Sequence, residues 1–268
     1  MPVLASGLLF SCTSDIESAE SSSSAIPSSS SIAPSSSSVV PSSSSVPSSS
    51  SLAPSSNSLA PSSSSLARIG KGNSISSYRT VPIGTQIWMA ENLDYVVAGS
   101  KCYNNNPDNC DKYGQLYDWA TAMALPSSCN SSYCSSQIQS PHRGICPSGW
   151  HIPSNADWDK LFRYADGTNG TSSPYDNPTA GRYLKATSGW SSGGNGTDQY
   201  GFSALPGGHG NSDGSFYRVG YGGYWWSASE YEDDSDYAYC RYMGYGGDYA
   251  YWSNYNKSNP FSVRCVQD

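Results

Sequence analysis

The stretch GICPSGWHIPSNADW, residues 144–158, contains a cysteine and a histidine that could form a catalytic pair. Such chemistry needs Cys146 or a serine as nucleophile, His151 as base, and a carboxylate that orients the base. His142 and His209 offer no better pair, because one follows a proline and the other lies in a glycine-rich loop. We therefore interpret the stretch as part of the fold and assign no catalytic residue.

A helix is predicted directly after this histidine. Ser154 and Asp157 have the spacing of a capping box, and Pro153 marks the boundary. The apolar residues that follow recur on one helical face: they are Trp158, Leu161, Phe162 and Ala165. We expect this face to pack into the core, with Trp150 and Trp158 on either side of the turn.

Most of the remaining domain is predicted to be strand and loop. Residues 78–93 alternate around a turn at Gly84 and predict a hairpin. Residues 113–125 begin as a strand and pass into a helix at Trp119. The glycine- and tyrosine-rich segment 193–268 predicts several short strands.

Seven of the eight cysteines fall between residues 102 and 265, and in a secreted domain they predict disulfides with one cysteine left over. Connectivity does not follow from sequence, although spacing favours two local pairs. We predict the disulfides Cys102–Cys110, Cys129–Cys134 and Cys146–Cys265, with Cys240 left over in a strand. Structural zinc is the competing use, but CxxC pairs and an HxxxH arrangement are missing.

Residues 1–12 form an apolar run that ends in LFSC, which resembles the lipobox of bacterial lipoproteins. The resemblance implies that Cys12 becomes an acylated N-terminus and anchors the chain to a membrane. The run lacks the positive residues with which secretory signals begin, so an unprocessed apolar N-terminus is the alternative. The sequence offers no stretch of roughly 20 apolar residues that would span a bilayer.

Residues 13–67 are rich in serine and carry a proline about every seven positions from Pro27 onward. Proline removes helical hydrogen bonds, so a coiled coil is excluded and a disordered linker is predicted. Polyproline-like stretches rise about 3.1 Å per residue, which would give a reach on the order of 100 Å. Segments of this composition also carry O-linked glycans.

Residues 68–268 have the composition of a folded domain, and six blocks within them occur in a characteristic order. The blocks are VPIGTQIWMAENLDY (81–95), KCYNNNPDNCDKYGQLYDWATAM (101–123), GICPSGWHIPSNADWDKL (144–161), YGFSALPGG (200–208), YWWSASE (224–230) and NKSNPFSVRCV (256–266). In these blocks the region resembles the Fibrobacter succinogenes major paralogous domain, a secreted domain of bacteria.

This pattern is also similar to C-type lectin-like and sulfatase-modifying-factor domains. The resemblance implies an α+β fold of the C-type lectin-like kind, with two short helices packed on irregular antiparallel sheets. It favours a binding function without naming a ligand. An enzyme of the sulfatase-modifying kind is an alternative, but it would use a closely spaced cysteine pair, and Cys240 and Cys265 lie far apart.

Aromatic residues are concentrated near the C-terminus and predict a binding surface. Strand alternation in YAYCRYM places Tyr237, Tyr239 and Arg241 on one face. If GYGGD forms the following turn, Tyr249 and Tyr251 would join that face across a hairpin. Such a tyrosine platform suits sugar rings, since tyrosine gives contact area at small entropic cost. The alternative is that these tyrosines pack the sheets together.

Five acidic residues between these aromatic segments raise the possibility of calcium binding. They are Glu230, Glu232, Asp233, Asp234 and Asp236. Clustered carboxylates suit hard cations. However, the EPN, QPD and WND tripeptides of calcium-dependent lectins and the DxDxDG loop are missing, so a solvated acidic loop is expected and no metal or other cofactor is assigned.

The net charge of the chain argues against one class of partner. A net charge of −7 and a pI of about 4.8 argue against nucleic acid. We expect a non-catalytic module at the bacterial surface, secreted or lipid-anchored, that binds plant cell-wall polysaccharide or another surface protein. A purely structural adhesin or envelope spacer is the further alternative, and it differs in binding protein rather than glycan.

Overall fold

The computed structural model describes residues 70–168 and 178–268. The predicted segments 1–12 and 13–67, with Cys12, lie outside these described residues. Among the residues described, no helix has the length and apolar character needed to cross a bilayer.

Helices contribute little of the described chain. The α-helices are α1 (Pro107–Tyr113), α2 (Trp119–Ala122), α3 (Asn155–Asp166) and α4 (Ala180–Leu184). Short 3-10 helices occupy Ile75–Ser77, Tyr103–Asn105, Ser127–Asn130, Ser135–Gln137 and Ser191–Gly193. The expected number of two helices is wrong, because α1 and α4 occur in addition to α2 and α3, which correspond to the two predicted helices.

Eleven strands occur in the described residues. They are β1 (Thr80–Ile83), β2 (Gln86–Met89), β3 (Leu116–Tyr117), β4 (Trp150–His151), β5 (Gly207–Gly210), β6 (Phe216–Val219), β7 (Gly222–Glu230), β8 (Tyr237–Gly244), β9 (Ala250–Asn256), β10 (Phe261–Ser262) and β11 (Val266–Gln267). The hairpin predicted for residues 78–93 is confirmed as β1 and β2, with Gly84 at a φ of 61° in the turn.

The strands form two sheets. The smaller sheet has the order β1-β2-β11-β4 and is antiparallel throughout. The larger sheet has the order β3-β10-β7-β5-β6, and β8 and β9 extend from β7. Two neighbours of β7, namely β5 and β10, pair with it in parallel. The α+β class is therefore confirmed, and the expected irregular antiparallel sheets also contain these two parallel pairings.

The predicted capping box starts α3. The Ser154 hydroxyl accepts the N–H of Asp157 at 3.3 Å, and the Asp157 carboxylate accepts the N–H of Ser154 at 3.0 Å. The helix ends at Gly167, whose φ of 76° is left-handed and favours glycine. All four residues of the predicted apolar face are buried, which anchors α3 to the core.

The core lies on both faces of β7. Neighbouring side chains of a strand point to opposite faces, and Trp225 and Trp226 accordingly belong to different clusters. Trp226 packs with Trp119 and the buried Cys146, while Trp225 packs with the apolar face of α3. The expectation that Trp150 and Trp158 are core residues is also confirmed.

Three disulfides occur among the described residues, and all three predicted pairs are confirmed. They are Cys102–Cys110, Cys129–Cys134 and Cys146–Cys265, with sequence separations of 8, 5 and 119. Cys240 is buried in β8 and takes no part in these disulfides. Because Cys146 is oxidised, it is not available as a nucleophile.

Candidate functional site

The register of the β8–β9 hairpin divides the predicted tyrosine platform between two faces. Tyr239 lies opposite Asn254, whereas Tyr251 lies opposite Tyr242. Directly opposite residues share a face, so Tyr251 and its neighbour Tyr249 lie on the face away from Tyr237 and Tyr239. The predicted common face is therefore wrong, because a shift of one residue in register exchanges the two faces of a strand.

Arg241 is also not part of an exposed surface. Its side chain is buried, with Nη2 3.2 Å from a carboxylate oxygen of Asp159 and 3.2 Å from the backbone carbonyl of Asn155. Nη1 donates to the Asn155 side chain at 3.1 Å. A buried arginine needs such partners, and here they attach β8 to the first turns of α3. Its predicted contact with ligand is replaced by a structural role.

Tyr239 uses its hydroxyl within the protein. It donates to a carboxylate oxygen of Glu232 at 2.8 Å, and its ring packs against Tyr231 and Trp252. Tyr237, the first residue of β8, is half-buried. For these residues the alternative of sheet packing describes the structure better than a platform does.

A different set of aromatic residues forms a continuous surface, which we call the tyrosine face: Tyr224, Tyr242, Tyr249 and Tyr251. The rings of Tyr242 and Tyr251 are 6.2 Å apart with planes at 16°, and those of Tyr249 and Tyr251 are 5.4 Å apart at 26°. Tyr224 lies 4.8 Å from Tyr242 and is buried. The surface becomes more exposed toward β9, where Tyr249 and Tyr251 are 44% and 41% accessible.

Glycines make room for these rings. A Cβ on Gly244 would lie 2.5 Å from the hydroxyl of Tyr242, and one on Gly222 would lie 2.9 Å from the rings of Tyr224 and Tyr242. A Cβ on Gly247 would likewise meet Tyr249 at 2.8 Å. The tyrosine rings therefore pack directly against the glycine backbone, close to the plane of the sheet. Tyr242 was not among the predicted site residues. A signal was present, because Gly244 lies two positions after it, on the same face of the strand, and leaves room for its ring.

The acidic candidates are mostly engaged within the protein. The side chain of Glu230 is only 7% exposed, and its Oε1 lies 2.6 Å from Nζ of the fully buried Lys257. Glu232 accepts the Tyr239 hydroxyl, and Asp234 accepts the N–H of Asp236 at 3.0 Å. In residues 70–168 and 178–268 no three histidine, cysteine or acidic side chains are grouped so as to hold a metal ion.

His151 lies in a groove that sequence reasoning did not find. Its Nδ1 lies 2.8 Å from Oδ1 of Asp268, and its Nε2 lies 3.4 Å from Oδ2 of Asp157. Burial opposes the charge on the ring, but the two carboxylates outweigh it and raise the pKa of His151. Burial also opposes the charge on Asp157, yet the bonds from His151 and Ser154 lower the pKa of that carboxyl. The arrangement is an ion-paired clamp.

The groove has a volume of about 1080 Å³. We call it the acidic groove and define it by six side chains that line it, four of them acidic and two aromatic: Tyr133, Asp157, Glu230, Tyr231, Glu232 and Asp268. Its walls come from β2, residues 133–142, α3, the end of β7, β11 and Asp268, so it brings together segments far apart in sequence. Its size matches that of ligand sites.

The tyrosine face and most of the acidic groove lie within the part of the chain that matches a known family. Residues 81–267 match the Fibrobacter succinogenes major domain. The chain belongs to this family. In this Fibrobacter major domain, the matched range runs from β1 to β11 and includes the tyrosine face and all of the acidic groove except Asp268. Neither the curated proteins nor the solved structures include a match, so the likeness to C-type lectin-like domains stays a prediction.

Proposed function

We propose that this chain is a non-catalytic recognition module of the bacterial envelope and that its tyrosine face binds polysaccharide. The observation that carries the proposal is the pair Tyr249 and Tyr251, exposed, nearly parallel and supported by the half-buried Tyr242. The C–H faces of a pyranose ring are apolar, whereas its hydroxyls need polar partners. Tyrosine supplies both a flat apolar face and a hydroxyl.

The position of the tyrosine face in the sheet favours a polymer as ligand. β9 pairs only with β8 among the described strands, so Tyr249 and Tyr251 lie at a sheet edge. A long chain could cross this edge without meeting a further strand. Stacking surfaces for single-stranded nucleic acid also use aromatic rings but combine them with positive charge. The net charge of −7 therefore argues against nucleic acid as the ligand of this aromatic surface.

The non-catalytic part of the proposal is supported by the state of the reactive side chains. Cys146 and Cys265 form a disulfide, so neither can act as a thiolate. Both ring nitrogens of His151 face carboxylates, and the Ser154 hydroxyl donates to Asp157 at 2.6 Å rather than to the imidazole. This arrangement favours structure over nucleophilic chemistry.

The proposal is tested with the full chain in binding assays on cellulose, xylan and pectin, followed by calorimetry with soluble oligosaccharides. We expect Tyr251→Ala and Tyr249→Ala each to weaken binding about tenfold, since a lost stacking contact removes most of one aromatic interaction. Tyr221→Ala is the matched control, because Tyr221 is 45% exposed but packs edge-on against Tyr245 away from this set. Equal binding by all four proteins would reject the tyrosine face as the site.

The envelope location rests on Cys12 and the serine-rich segment 13–67, and it is tested separately. An acyl chain on Cys12 would tether the domain, and the linker would hold it on the order of 100 Å away. We expect a palmitate analogue to label the wild-type chain in cells, and Cys12→Ala to lose both the label and its place in the membrane fraction. Retention of Cys12→Ala in that fraction would contradict the lipid anchor.

A further inference from the structure

The acidic groove holds more negative charge than its own cations balance. Its carboxylates are Asp157, Glu230, Glu232 and Asp268, and the neighbouring loop adds Asp233, Asp234 and Asp236. Against these, Lys160 lies on the rim, His151 is shared by two carboxylates, and Lys257 is committed to Glu230. Charge in a concave site attracts ligands of opposite sign.

Glu230 is the second observation that points to a ligand. Its side chain is only 7% exposed and contributes to the wall of the groove. Oε1 is satisfied by Lys257 and by the N–H of Cys134. Oε2 is buried and accepts no hydrogen bond from any described residue. A buried carboxylate oxygen without a donor is costly, so this wall has an unused acceptor.

The protein itself shows how this region accepts an ammonium group. Nζ of Lys257 reaches Glu230 and the carbonyls of Ser132 and Ser235, and it also lies 4.6 Å from the ring centre of Trp119 and 6.0 Å from that of Tyr133. Carboxylate, carbonyl and aromatic ring together are the surroundings that cations prefer. Tyr133, which is 52% exposed, presents a ring of this kind to the groove.

We propose that the acidic groove binds a lysine or arginine side chain presented by a protein partner, at a site separate from the tyrosine face. The cation would lie between Glu232 and the ring of Tyr133, with its donors directed toward Glu230. The apolar stem would contact Ile87 and Ile138, which also line the groove. The negative electrostatic environment of the two tyrosines in the groove also favours a cation. Partial desolvation and the carboxylates of Asp233 and Asp234 raise the pKa of Tyr133, and similar causes raise that of Tyr231.

The test uses the full chain and a tetra-arginine peptide, with a tetra-glutamine peptide of the same length as the uncharged probe. Calorimetry should show binding of the arginine peptide and no binding of the glutamine peptide. The affinity for the arginine peptide should fall as the salt concentration rises. We expect Glu232→Gln and Tyr133→Leu each to weaken binding about fivefold. Lys160→Gln should strengthen it by a similar factor, because it removes a positive charge from the rim.

Asp108→Asn is the matched control, since it removes one exposed carboxylate that does not line the groove. Equal loss of affinity in Asp108→Asn and Glu232→Gln would show attraction by net charge and overturn the proposal. Equal binding of the two peptides would also overturn it. If Glu232→Gln fails to fold, Lys160→Gln decides, because unchanged affinity in that variant contradicts the site. Tyr251→Ala should bind the peptide as wild type does, which separates this result from the polysaccharide proposal.

Discussion

Nδ1 of His151 lies 2.8 Å from a carboxylate oxygen of Asp268, although 117 positions separate the two residues. The pairing of β4 with β11, in which His151 lies opposite Val266, brings them together. Asp157 contacts the other ring nitrogen and also caps α3. One imidazole therefore connects the last strand, the WH turn and the start of a helix.

This clamp predicts a specific dependence of stability on pH. The folded pKa of His151 is raised, so its contribution is complete below about 6.5 and is lost as the pH rises through the folded pKa. The pKa of Asp157 is lowered, so its contribution is present above about 3.9 and is lost as the pH falls through its folded pKa. We expect the clamp to stabilise the domain most between about pH 4 and 6.5.

Thermal melts from pH 4 to 8 check this expectation. The wild-type Tm should fall between pH 6 and 8, and His151→Gln should lose much of that slope because glutamine does not titrate. Asp268→Asn should reduce the slope in part, since one of the two carboxylates remains. Identical slopes in His151→Gln and wild type would show that other groups cause the pH dependence.

The buried ion pair of Lys257 and Glu230 leads to a second prediction. Lys257→Met should destabilise the domain by about 3–5 kcal/mol, because it leaves the Glu230 carboxylate buried without its cation. Adding Glu230→Gln to Lys257→Met should restore much of this loss, since the second change removes the uncompensated charge. Urea unfolding measures both variants. A double variant no more stable than the single one would mean that the lysine contributes mainly through Ser132, Ser235 and Trp119.

Local signals explain which parts of the fold were predictable. The hairpin around Gly84 and the helix after Ser154 follow from turn and capping residues within a few positions of each other. The disulfides Cys102–Cys110 and Cys129–Cys134 also close short loops. The long-range pair Cys146–Cys265 had no such signal, because Cys240 was an equally possible partner in the sequence. Helices α1 and α4 were missed, because seven and five residues do not show an apolar period, whereas the still shorter α2 was predicted only as part of the longer segment 113–125.

The candidate sites depend on relationships that a single sequence does not contain. Strand alternation correctly separated Tyr239 from Tyr242, but the faces of β8 and β9 are matched by register, which the loop between them determines. The acidic groove depends on the approach of Asp268 and Glu230 to α3 across long sequence separations. Neither the register of the hairpin nor the approach of these residues to α3 is encoded in a local sequence motif.

The disulfides allow a third prediction, since loop length sets how far each one restricts the unfolded chain. Cys146→Ala with Cys265→Ala opens a separation of 119 residues and should cost about 5 kcal/mol. Cys129→Ala with Cys134→Ala opens a separation of 5 and should cost about 2 kcal/mol. All four side chains are buried, so the pairs are well matched. Urea unfolding at 25 °C compares them, and equal losses would mean that native packing outweighs chain entropy.

The last prediction concerns Gly244, which lies beneath the tyrosine face, and relates the packing of the rings to polysaccharide binding. A methyl group at Gly244 would lie 2.5 Å from the Tyr242 hydroxyl, so Gly244→Ala must displace that ring and, through it, Tyr251. Gly246 lies two residues later, in the turn that follows β8, with nothing within 4 Å of an added Cβ. We expect Gly244→Ala to cost about 1 kcal/mol and to weaken polysaccharide binding, and Gly246→Ala to change both little. Calorimetry and urea unfolding check the pair. If Gly244→Ala loses stability but keeps wild-type affinity, the position of the Tyr242 ring does not matter for the ligand, and binding would then depend on Tyr249 and Tyr251 alone.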